Sequence, residues 1–129
     1  MHRTLAVALF LLSATISGAT PREASPETPE YPAVHFTIQT ALDVLSDYTL
    51  LYEDAEIFCK QLWGLTSFDS RTITICSRID ETSRKQVIIH EIVHVLYWKR
   101  GLQTADPIGE RVVAMETARI YNELYGGQD

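Results

Sequence analysis

The stretch at about 83–100 limits what this chain can fold into more than any other part of it. Val87, Ile88, Ile89, Ile92, Val93, Val95, Leu96 and Trp98 recur there at helical spacing and cover most of a helix circumference. A helix that is apolar on nearly every side cannot lie on a surface. It has to run through the centre with other elements packed around it. Asp80 or Thr82 can cap its start. Gly101 ends it, with Lys99 and Arg100 in the last turn, where cations suit the helix dipole. Into this apolar run are set His90, Glu91 and His94. Burying three such groups without partners would cost several kcal/mol of desolvation, so something must compensate.

The elements around this helix read as follows. Phe36, Ile38, Ala41, Leu42 and Leu45 are spaced for a short helix, and residues 48–52 suit a strand. Residues 57–68 and 72–76 read as an antiparallel hairpin about Asp69-Ser70-Arg71, the second arm alternating polar and apolar from Thr72 to Cys76. Folding about Ser70 sets Cys76 opposite Gly64. After the central helix, Asp106-Pro107 pairs a cap residue with proline at the first helical position, and that helix runs to about Tyr125 before Gly126-Gly127. Its inward stripe is Val113, Thr117, Ile120, Tyr121 and Leu124. The expected class is α+β, with a small antiparallel or mixed sheet packed on the central helix and on the helix after it. With 129 residues, 46% of them hydrophobic, the chain supports one domain with a modest core.

His90 and His94 stand at i and i+4, so their rings leave one face of the helix at neighbouring heights. Two imidazoles at that spacing can meet one tetrahedral Zn2+; the other reading is two core histidines hydrogen-bonded to backbone or to a carboxylate. Glu91 is rotated by about 100° from His90, beside such a metal rather than on it, where a carboxylate can act as general base. The continuation HExxHxxGxxH is absent, because Tyr97 holds the glycine position and Arg100 the last histidine position. That leaves Glu110, Glu116 and Glu123 on the next helix as third ligands. Glu110 falls on the apolar stripe, three residues before Val113, whereas Glu116 aligns with Val112, Arg119 and Glu123 on a more polar face. Glu110 is the preferred ligand. Its other reading is an acid in the first helical turn that complements the dipole.

The N-terminus carries a different message. Arg3 precedes an apolar run from Leu5 to Leu12, and small residues follow to Ala19. This order fits a secretory signal over residues 1–19, cleaved after Ala19; an uncleaved membrane anchor is the other reading, and the flanks suit processing better. The apolar run is too short to span a bilayer. Residues 20–32 hold Pro21, Pro26, Pro29 and Pro32 among Glu, Ser and Thr, the composition of an extended linker. The folded domain is then 33–129, and export places it in the periplasm or outside the cell. Loss of Arg3 with the signal leaves 10 basic and 17 acidic residues, a net charge of −7. That opposes nucleic-acid binding, which needs a cationic face. In an oxidising compartment Cys59 and Cys76 are expected to bridge. The alternatives are two buried thiols or metal ligands, and the lack of a CxxC pair disfavours ligation. A bridge needs a bulge or a bend, because the simple hairpin register does not set Cys59 against Cys76.

With these residues in place the chain resembles the gluzincins. His90-Glu91-Ile92-Val93-His94, followed by Glu110 on the next helix and preceded by a short hairpin through Ile73-Thr74-Ile75, looks like the minimal zincin domains of minigluzincins, ImmA/IrrE-like proteins and small phage-encoded metallopeptidases. The resemblance covers about residues 48–124. It implies a zincin-like fold, a Zn2+ ion held by His90, His94 and Glu110, Glu91 as catalytic base, and a peptide or protein substrate. Val93 stands where the ImmA/IrrE pattern has glycine. Two other functions fit the same residues: a catalytically silent zincin-fold binding module, and a zinc amidase acting on a non-protein amide. Tyr97, Tyr121 and Tyr125 are available as oxyanion donors or as core packing. His35 has no motif around it and reads as a surface residue.

Overall fold

The computed structural model describes residues 34–126. The expected signal segment (1–19) and linker (20–32) lie outside the described residues. Seven elements follow in order: α1 (Ile38–Asp47), β1 (Thr49–Glu53), α2 (Glu56–Gln61), β2 (Gly64–Ser67), β3 (Thr72–Cys76), α3 (Glu81–Lys99) and α4 (Pro107–Tyr125). This is an α+β domain. Its three-stranded mixed sheet has the order β1-β3-β2, with β1 parallel and β2 antiparallel to β3. No helix among the described residues is long and apolar enough to cross a membrane.

The central helix, α3, packs against α1, α4, β2 and β3. Asp80 caps it by accepting from the Ser83 N–H at 2.7 Å. At its other end Gly101 takes φ 83°, and the Gly101 and Leu102 N–H groups reach back to the Trp98 and Tyr97 carbonyls. That paired closure needs a left-handed residue, which glycine adopts without strain. Val87, Ile89, Ile92, Val93, Val95, Leu96 and Tyr97 are buried. They join Val44 of α1, Ile73 and Ile75 of β3, and Val113 and Ile120 of α4 in one core. Burying each such side chain contributes roughly 1.5–3 kcal/mol. Trp98 departs from this core. It is 38% exposed and stacks on Phe68 with ring centroids 4.7 Å apart.

Two expectations about the first half are corrected. Residues 57–68 do not form one strand: residues 56–61 are helical and only Gly64–Ser67 is strand. Ile57 and Phe58 favour strand, but Glu56, Lys60 and Gln61 are good helix formers. Lys60 and Glu56 also pair at i,i+4, 3.3 Å apart. The hairpin register is displaced by one residue as well, with Gly64 opposite Ile75 and the Cys76 N–H on the Trp63 carbonyl. The bend at α2 brings Cys59 to Cys76, and the two are joined as a disulfide. β3 is the middle strand, so it offers no edge for pairing.

α4 starts as the sequence indicates, with Asp106 accepting from the Gly109 N–H at 2.6 Å and Pro107 at the first position. Its buried side is wider than the expected stripe. Leu124 is 38% exposed, whereas Val112 and Glu116 are buried. The supposedly polar face at Glu116 is covered by the segment that leads into α1. Both Phe36 backbone groups bond to α4 there, its N–H to Glu116 (2.7 Å) and its carbonyl to Arg119 (2.7 Å).

Candidate metal centre

His90 and His94 project from α3 toward the first turn of α4, where Glu110 faces them. His90 Nε2 lies 3.1 Å from Glu110 Oε1, and His94 Nε2 lies 3.3 Å from Glu110 Oε2. The ligand atoms of the three residues all lie within 4.8 Å of one another, so the group could hold a metal ion. Neighbouring ligands around a tetrahedral ion with bonds near 2.05 Å are separated by about 3.4 Å. The two distances from the histidines to Glu110 are close to that spacing. The site is deep: His90 is 5% and Glu110 9% exposed.

The electrostatics show how tightly the three are coupled. Burial acts to push the Glu110 carboxyl up, but the hydrogen bonds and charge of His90 and His94 hold it down at about 2. Burial acts to pull His94 down, yet the hydrogen bond to Glu110, the charge of Glu110 and that of Glu91 together raise it above its ordinary 6.5. A proton on His94 therefore balances the carboxylate at the position where a cation would balance it.

Glu91 is 6% exposed and is bonded across to β2. The Thr66 hydroxyl donates to its Oε1 at 2.5 Å. Its Oε2 lies over Gly64, where an added Cβ would come within 3.0 Å of Oε2 and 2.6 Å of Val87 Cγ1. Only glycine leaves room there for the carboxylate between strand and helix.

Glu116 is not part of the metal group. It is bound instead by Arg119 at 2.6 Å, by the Phe36 N–H and by His35 Nδ1 at 3.1 Å. Burial acts to raise the Glu116 carboxyl, and the bonds from Arg119, Phe36 and His35 lower it overall. The His35 side chain remains 71% exposed. Glu123 pairs with Arg119 at 3.1 Å on the surface. Tyr97 is a core residue, 1% exposed and set edge-on to Phe36, while Tyr121 and Tyr125 pack on each other.

Four residues of the site were not anticipated: Gly64, Thr66, Thr104 and Gly109. Thr104, in the loop between α3 and α4, sets its hydroxyl 2.6 Å from His94 Nδ1. The two glycines carried a signal, since glycine inside a strand or an early helical turn marks a close approach. Nothing in the spacing marked the threonines. Compared with family models, with curated proteins and with solved structures, the chain has no match.

Proposed function

We propose that this chain is an exported, zinc-dependent metallopeptidase of the gluzincin kind, with a zincin-like fold. The observation that carries the proposal is the convergence of His90, His94 and Glu110, with the buried Glu91 next to His90 in the chain and its charge acting on His94. Two imidazoles and one carboxylate are the donor set of hydrolytic zinc sites, whereas structural sites use four closed ligands rich in cysteine. Both cysteines here are committed to a disulfide. Zinc bound by the three residues would polarise a scissile carbonyl and acidify water at neutral pH.

The rest of the chemistry belongs to the chain. Glu91 takes a proton from the attacking water and returns it to the leaving amine. Thr66 holds Oε1 and so fixes the orientation of the carboxylate that exchanges the proton. β2 is an edge strand and carries Thr66, so an extended peptide laid along that edge would pass beside Glu91. Alternate side chains of β2 then meet the substrate, among them the exposed Leu65.

The test is cleavage of a mixture of unfolded extracytoplasmic proteins by the zinc-loaded chain, with Glu91→Gln as control. The expected result is new peptide termini with the wild type and none with Glu91→Gln, at equal zinc content. Equal cleavage by both, or failure of the wild type to bind zinc at neutral pH, overturns the proposal.

A further inference from the structure

We infer that Thr104 is a positioning residue for the metal centre, and that the loop carrying it sets two of the three ligands at once. The inference rests on the zinc reading above and concerns residues outside the ligand set. Thr104 is 4% exposed, and its Oγ1 lies 2.6 Å from His94 Nδ1, on the opposite side of the ring from Glu110. An imidazole can give its Nε2 lone pair to a cation only while its remaining proton sits on Nδ1. A buried Nδ1–H needs an acceptor, and the Thr104 hydroxyl oxygen is placed to accept it. The bond holds the ring in the orientation that aims Nε2 at Glu110, and the hydroxyl can accept the Nδ1 proton when Nε2 is given to a cation.

The same loop is seated against the start of α4. A Cβ on Gly109 would fall 2.6 Å from Thr104 Cα and 2.8 Å from its carbonyl carbon and oxygen. Asp106, two residues after Thr104, caps α4 through the Gly109 N–H. Gly109 is followed directly by Glu110. The contact between Thr104 and Gly109 thus ties the hydroxyl that aims His94 to the backbone that carries Glu110. A shift of the loop would misalign both ligands together.

The experiment measures zinc affinity of the full chain by competition with a chromophoric chelator, for wild type, Thr104→Val, Thr104→Ser and Gly109→Ala. Thr104→Val keeps the shape and removes the acceptor, and should weaken binding on the order of 10-fold or more. Thr104→Ser should recover most of that loss, and Gly109→Ala should weaken binding although it alters no polar group. Wild-type affinity in Thr104→Val, or no recovery in Thr104→Ser, overturns the inference and leaves the zinc reading intact. A wild type that binds no zinc overturns both. If Thr104→Val does not fold, Thr104→Ala is compared with Thr104→Ser in its place: weaker zinc binding by the alanine variant supports the inference, and equal affinity of the two overturns it.

Discussion

Reduction of the Cys59–Cys76 disulfide should destabilise the domain far more than the size of α2 suggests. α2 is one short helix with no buried side chain and no side-chain cap at its start. Its tie to the sheet is the bridge to Cys76, which is itself fully buried at the end of β3. The two cysteines are 17 residues apart. In the chain-entropy description, closing a loop of that length removes about 3 kcal/mol of freedom from the unfolded ensemble. At about 4–8 °C per kcal/mol for a domain of this size, the reduced protein should melt roughly 12–24 °C lower. Both forms should be melted in chelator, because any metal bound to the native state would add its own stabilisation. A phosphine reductant keeps the sequence unchanged and avoids introducing a buried polar atom at Cys76. Hydrogen exchange on the reduced form should quicken first in α2 and at Gly64, next to the Glu91 carboxylate. Melting points within ~2 °C of each other would falsify the loop-closure account and show that α2 is held by contacts other than the bridge.

Three further outcomes are expected. Glu110→Gln should abolish tight zinc binding, whereas Glu116→Gln should leave it intact and cost about 1.5–3 kcal/mol of stability, the worth of bonds between charged groups; zinc titration and urea unfolding of both variants check this, and the reverse pattern would exchange their roles. Gly64→Ala should cost about 1–3 kcal/mol through overpacking against Val87 and displace Glu91, so turnover falls while zinc affinity holds. The metal-free and metal-loaded forms should respond oppositely to pH. Glu110 is lowered from 4.5 to about 2, so its contribution is present above pH 4.5 and is lost as pH falls toward 2. His94 is raised above 6.5, so its contribution is present below pH 6.5 and is lost as pH rises through its folded value. Metal-free protein should therefore be most stable between about pH 4.5 and 6.5, while zinc affinity climbs above that window as His94 gives up its proton. Denaturation and chelator competition across pH 3–9 test both arms, and parallel trends would sink the idea that proton and cation share one position.

The features legible in the sequence are those that one element encodes alone. The i,i+4 spacing of His90 and His94 is a property of one helix and holds wherever that helix is placed. Asp106 and Pro107 at the start of α4, and Gly101 at the end of α3, are local chemistry in the same way. Glu110 needs one step more, because its place on the apolar face of α4 points to the site only if that face meets α3. The misreadings arise where a second segment decides the outcome. Glu116 looks polar on its own helical wheel, yet Phe36, 80 residues earlier, lies across it and buries it against Arg119. Residues 57–68 carry strand-forming side chains, but the connection between β1 and β2 turns as a helix that delivers Cys59 to the end of β3. Thr66 meets Glu91 across 25 residues and Thr104 meets His94 across 10, in both cases between different elements. A hydroxyl has no periodicity to betray it, so both were invisible. Two glycines near them were not: Gly64, against Val87 and Glu91, and Gly109, against Thr104, each lack a side chain because another group occupies the space. Glycines at costly positions beside a charged motif therefore point to where its supporting residues approach, even when those residues carry no signal of their own.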